Sequence, residues 1–124
     1  HVLRTLEEQE ELFAKGRTKP GKIVTNAKPG QSYHNYGLAF DIVLLYDNDG
    51  NDTFEEASWD MLRDGDRDKR ADWREVVNFF KSKEWFWGGD FINFKDYPHF
   101  QKTFDYNWRQ LINMPVDEDG YVIL

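Results

Sequence analysis

The sequence predicts an α+β fold, a small and mostly antiparallel central sheet with flanking helices, built as one domain over residues 1–124. Three observations predict it. Trp73, Val76, Val77 and Phe80 fall at i, i+3, i+4 and i+7, the clearest helical face in the chain. Ile42-Val43-Leu44-Leu45 is an apolar run of strand length. Phe100, Lys102 and Phe104 alternate with His99, Gln101 and Thr103, the period of a strand with two unlike faces.

Taken in order, Thr5 followed three positions later by Glu8 forms a capping box and predicts a helix over 6–15, with Leu6, Leu12, Phe13 and Ala14 as a partial apolar stripe and Gly16 as its stop. Pro20-Gly21 and Pro29-Gly30 make 17–31 a long loop, with a short extended pairing expected at Ile23 and Val24. A strand is expected over 38–45, ended by the turn-rich Asp47 to Asp52. Residues 54–62 read as a short helix with Trp59 and Leu62 inward. The helix of the Trp73 face spans 71–83. Trp85-Phe86-Trp87 and Phe91-Ile92-Asn93-Phe94 read as two extended pieces around a bend at Gly88-Gly89. Asp105 is a candidate cap for a last helix holding Trp108, Leu111 and Ile112, which Pro115 ends; a turn and a short apolar end occupy 116–124.

Bulk composition limits the function classes. Sixteen Lys and Arg against 23 Asp and Glu give a net charge of −7, so no nucleic-acid partner is expected. No window approaches the roughly 18 apolar residues of a membrane span. The chain opens in mid-pattern at His1 and shows no signal peptide, so a further N-terminal segment is expected. Cysteine is absent, which leaves histidine and carboxylate as the donors for any zinc.

The chemistry gathers in Ser32-Tyr33-His34-Asn35-Tyr36-Gly37-Leu38-Ala39-Phe40-Asp41. His34 would sit in the turn entering a strand and Asp41 on the strand, where an unpaired carboxylate is costly to bury. Asp41 either coordinates a dication or pairs with an arginine or caps a loop. Downstream, Pro98 fixes the backbone before His99, and Asp96 lies close enough in sequence to reach over the same metal. A lone His99 would be a hydrogen-bonded core histidine. With His34 and Asp41 it completes a three-donor set that leaves one zinc position open for water.

Ser32-x-His34-x2-Gly37-x-Ala39-x-Asp41 with Asp96-Tyr97-Pro98-His99-Phe100-Gln101 resembles the zinc peptidases of bacterial cell walls, the family of D-alanyl-D-alanine carboxypeptidases and L-alanyl-D-glutamate endopeptidases that includes phage endolysins. Arg4-Thr5-x2-Glu8-Gln9, Gly16-Arg17-Thr18-x-Pro20-Gly21, Val24-Thr25-x-Ala27 and Trp87-Gly88-Gly89-Asp90-Phe91 resemble the L-alanyl-D-glutamate branch, so the likeness covers about residues 4–104. The resemblance implies a hedgehog/D-Ala-D-Ala-peptidase-like fold, with zinc on His34, Asp41 and His99. It implies Asp96 as general base, where many relatives carry Glu, and Arg4 as binder of substrate or oxyanion. Ser32 and Gln101 are candidates to orient the ligands, or are simply turn and strand polar residues. Tyr36, Trp85, Trp87 and Tyr97 are candidates to shape a peptide groove; otherwise the two tryptophans pack under the sheet.

The implied reaction is hydrolysis of an amide in peptidoglycan stem peptides, the L-alanyl–D-glutamate bond being the expected one. Rival readings are a D-alanyl-D-alanine carboxypeptidase of the same family and a non-catalytic wall-binding module. The implied location is the cell envelope, periplasmic or secreted, or for a phage protein the cytoplasm until lysis, and a monomer is expected. Separately, Asp64, Asp66, Asp68, Asp72 and Glu75 fall at positions 1, 3, 5, 9 and 12 of a calcium-loop pattern, with Lys69 where the loop's glycine belongs. The alternative is a solvated acidic surface in which Arg63, Arg67 and Arg70 pair locally.

Overall fold

Thr5 and Glu8 do what their spacing predicts: the Thr5 hydroxyl accepts from the Glu8 amide at 3.0 Å, and the Glu8 carboxylate accepts from the Thr5 amide. Helix α1 (Leu6–Ala14) follows. The computed structural model describes residues 3–47, 49–51, 53–54, 56–65 and 67–124. The further elements are a 3₁₀ turn (Tyr33–Tyr36), strands β1 (Ala39–Asp41), β2 (Leu44–Tyr46) and β3 (Glu56–Ser58), helix α2 (Asp72–Ser82), β4 (Phe86–Trp87), a second 3₁₀ turn (Gly88–Asp90), β5 (His99–Gln101) and helix α3 (Trp108–Leu111). The fold is α+β, as expected.

The strands form a three-stranded sheet in the order β1-β5-β4 and a two-stranded sheet of β2 with β3. Beside β1 and β5, the Lys102 amide donates to the Leu38 carbonyl and the Ile42 amide to the Pro98 carbonyl. One index rises as the other falls, so this pair is antiparallel. The second sheet is antiparallel too, with Leu44 opposite Ser58, Leu45 opposite Ala57 and Tyr46 opposite Glu56.

The chain divides into two compact units, His1–Phe40 with Gln101–Leu124, and Asp41–Phe100. In the first, Gln9, Ala14, His34, Asn35, Tyr36, Ala39 and Leu111 are buried. Gly37 ends the 3₁₀ turn in the left-handed region, at φ +73, and a Cβ there would run into the Tyr121 ring. Glycine is needed at that position on both counts. In the second unit the core is Trp73, Val77, Trp87 and Phe100. The Trp73 indole N–H is satisfied by the Ser58 carbonyl at 3.0 Å, and the Phe80 ring lies 4.9 Å from Phe100. The helical face read from the sequence is the face that packs.

Several expectations are corrected. The apolar run is not one buried strand: β1 and β2 are separate, and Val43 and Leu45 are exposed. Ile23 and Val24 form no strand; the pairing in that loop is a bridge between Lys15 and Lys19. No helix forms within the described part of 54–62, because Glu56–Ser58 pairs with β2; Trp59 is 57% exposed and Leu62 86%, so neither points inward. Residues 91–94 are not extended into a strand. The last helix is capped by Asn107, not Asp105: the Asn107 side chain accepts from the Gln110 amide while Gln110 reaches back to the Asn107 amide. Asp105 instead takes a left-handed turn conformation at φ 65.

Candidate metal centre

His34 is fixed by its backbone before its imidazole does anything. Ser32 caps the 3₁₀ turn, its hydroxyl accepting from the His34 amide at 3.3 Å. The His34 carbonyl accepts from the Arg4 amide at 2.8 Å. Asn35, also buried, donates to the Arg4 carbonyl at 3.0 Å and accepts from the Gly30 amide at 3.1 Å. Ser32 therefore contacts His34 through the His34 backbone amide.

Asp41 ends β1 and His99 opens β5, and their Oδ1 and Nδ1 atoms lie 3.2 Å apart. The His99 side chain is 9% accessible and that of Asp41 45%, so the imidazole is held in the interior while the carboxylate keeps an open side. Among the described residues, His34, Asp41 and His99 each offer one ligand atom within 4.8 Å of the others. Bonds of about 2.0–2.1 Å in a tetrahedral site set neighbouring donors roughly 3.4 Å apart. The Asp41–His99 spacing is already near that edge length. Two imidazoles and one carboxylate suit a first-row dication, and the trio could bind a metal.

Asp96 is exposed, and its backbone is pinned on both sides: its amide donates to the Gly88 carbonyl at 2.9 Å and its carbonyl accepts from the His99 amide at 3.2 Å. Arg4 is half-buried. Its Nη1 donates to Gln9 Oε1 at 3.0 Å, and Gln9 Nε2 donates to the Ala27 carbonyl at 2.8 Å. Gln9 is fully buried, with both ends of its amide used. Sequence reasoning missed its role and that of Asn35. The available signal was a polar residue on the α1 stripe, between Leu6 and Leu12, on the side that the apolar pattern assigns to the interior.

Two ring residues proposed to shape a groove are buried. Tyr36 is buried, its hydroxyl bonded to the Gly30 carbonyl, and burial holds its phenol above the usual range. Trp87 is buried and its indole N–H donates to the Tyr97 carbonyl at 2.8 Å. Both rings pack in the interior, and Tyr36 also borders a surface cavity with Arg4, Asn35 and Leu111. Trp85 is half-buried and Tyr97 exposed. Gln101 is half-buried at the end of β5.

In the acidic loop, Asp64 accepts from the amides of Asp68 and Lys69, Asp68 from the amide of Arg70, and Asp72 from the Tyr46 hydroxyl at 2.6 Å and the Gly65 amide at 2.7 Å. These carboxylates turn the loop on itself. With Glu75 they make no three-donor cluster among the described residues; Asp66, like Asp52 of the neighbouring turn, lies outside those residues. Arg63 pairs with Glu56 at 2.7 Å and stacks 3.6 Å over the Tyr46 ring. Among the described residues no helix is long and apolar enough to cross a membrane.

Residues 25–102 match the family model described as D-alanyl-D-alanine carboxypeptidase, and the chain belongs to that peptidase family. The matched span holds His34, Asp41, Asp96 and His99; Arg4 and Gln9 precede it. Among characterised proteins, the chain is similar to the peptidoglycan L-alanyl-D-glutamate endopeptidase CwlK of Bacillus subtilis strain 168, at 49% identity over 98 residues. That alignment covers 79% of this chain and 55% of the relative, so the chain spans about half of the protein it matches.

Proposed function

We propose that the chain hydrolyses an amide bond in peptidoglycan stem peptides, the L-alanyl–D-glutamate bond by preference, with zinc held by His34, Asp41 and His99. The observation that carries this reading is the gathering of those three donors within 4.8 Å, inside the span that matches the peptidase family. The name of the similar Bacillus protein supports the choice of bond. Bound there, zinc would supply a Lewis acid and a water made acidic near neutral pH.

The chain's own groups do the rest. Asp96 accepts a proton from the water that adds to the amide carbonyl, then gives it to the departing nitrogen as the C–N bond breaks, leaving a carboxylic acid and an amine. Arg4, held by Gln9, offers a guanidinium to the oxygen on which charge develops. Ser32 keeps His34 in place. A cell-wall substrate puts the site of action at the cell envelope, reached by export or at lysis.

The test uses zinc-loaded protein, defined muropeptides and mass spectrometry. Wild type is expected to release L-alanine from D-glutamate. Asp96→Asn is expected to bind zinc equally while turnover falls by about 10²-fold or more. Absence of any amide cleavage by zinc-loaded wild type sinks the reading, and retention on walls without cleavage replaces it with a binding module. Loss of a terminal D-alanine instead establishes the carboxypeptidase activity that gives the family its description.

A further inference from the structure

We propose that the loop from Gly88 to Asp96 is a positioning device that holds Asp96 in register with His99, with Lys95 as its clasp. The inference deepens the hydrolase reading and rests on Asp96 acting as the base. Both ends of the loop converge on one carbonyl. The Gly88 oxygen accepts from the Phe91 amide at 3.2 Å and from the Asp96 amide at 2.9 Å. The Asp96 carbonyl in turn accepts from the His99 amide at 3.2 Å, so Gly88, Asp96 and His99 form one backbone chain of contacts.

Gly88 has a steric reason to be glycine. A Cβ there would run into the Asp96 carbonyl and come within 3.0 Å of the His99 Cβ. Any side chain would push the proposed base and a proposed ligand away from the turn that registers them. Lys95, next to Asp96, spans the loop: its ammonium donates to the Gly89 carbonyl at 3.1 Å and the Phe91 carbonyl at 3.2 Å. One ammonium thus bridges a carbonyl within the turn and a carbonyl just after it, through two charge-assisted hydrogen bonds. Within the loop, Asp90 is tied to α2 through Lys81 at 2.7 Å. The Phe91 ring lies between Phe86, at 5.4 Å, and His99, at 5.8 Å.

The tip gives no such support. Ile92 is 95% exposed and Phe94 85%, so the apolar side chains of the tip do not anchor it. The contacts that order the loop include those of the Gly88 carbonyl, the Lys95 ammonium and the Asp90 and Phe91 anchors. A base on an exposed loop needs such a frame, because a displacement of about 1 Å in a reacting group can lower a rate by about 10²-fold.

The test pairs an activity-independent readout with turnover. Amide hydrogen exchange is measured on the metal-free and the zinc-loaded chain for wild type, Lys95→Met and Lys95→Arg. Lys95→Met is expected to speed exchange at the Asp96 and Phe91 amides by about tenfold or more while the α2 amides stay protected. With zinc bound as tightly as in wild type, its kcat is expected to fall by about 10–100-fold with KM within about twofold. Lys95→Arg is expected to recover most of both. Gly88→Ala is the second variant, and is expected to loosen the same amides and to weaken zinc binding through His99. Unchanged exchange in Lys95→Met overturns the proposal, and so does a kcat loss without faster exchange. Failure of wild type to cleave would instead remove the hydrolase reading, with the exchange result standing by itself.

Discussion

Replacing Gln9 by Met tests whether the Arg4 guanidinium is held in place from inside the protein. Gln9 is fully buried and spends both ends of its amide, one on Arg4 at 3.0 Å and the other on the Ala27 carbonyl at 2.8 Å. Methionine keeps the length and flexibility of the side chain, so little cavity forms. Two part-buried groups, the Arg4 guanidinium and the Ala27 carbonyl, each lose one hydrogen bond, at about 1–3 kcal/mol apiece. The added apolar burial returns about 1 kcal/mol. The expected net loss is about 1–5 kcal/mol, read from urea midpoints at constant m. Arg4→Met and the double variant close a cycle, in which a coupling of about 1–2 kcal/mol is expected. On muropeptide substrate, Gln9→Met should lower kcat more than it raises KM if Arg4 acts on the developing oxygen charge. A stability loss under about 0.5 kcal/mol, or additivity within about 0.5 kcal/mol, would refute the argument.

Two further outcomes are expected. Zinc at about 100 times its dissociation constant should add roughly 2.7 kcal/mol of stability, or about 10 °C in Tm, lost on adding a chelator and absent in Asp41→Ala; calorimetry with and without chelator checks it. Tyr46 is pushed up to about 12 by burial first, then by its hydrogen bond to Asp72 and the Asp72 charge. Its folded pKa lies above the ordinary value near 10, so its contribution is complete below pH 10 and is lost as pH rises from 10 to 12. Tyr46→Phe should be less stable by about 1.5–3 kcal/mol at pH 7 and should lack that alkaline decline in urea midpoints.

The sequence by itself determined what is local. Thr5 with Glu8 wrote the start of α1, and Trp73, Val76, Val77 and Phe80 wrote the face of α2, because helix bonds and caps join residues a few positions apart. The candidate donors were named in the sequence too: with no cysteine, histidine and carboxylate were the donors available, and the resemblance to the cell-wall peptidases pointed to His34, Asp41 and His99, which the structure brings within 4.8 Å of one another. Only the tertiary structure decided what depends on distant partners. Glu56–Ser58 became a strand because β2 offers its backbone, although the composition of 54–62 suits a helix. Trp87 turned inward because the Tyr97 carbonyl was there to satisfy its indole, and Gln9 found Arg4 and Ala27 only once α1 and the loop after it had folded back. A pattern along the chain states which residues want burial or a metal; which backbone or carbonyl meets them is fixed only when non-local segments pair, since that is where their hydrogen bonds must be completed.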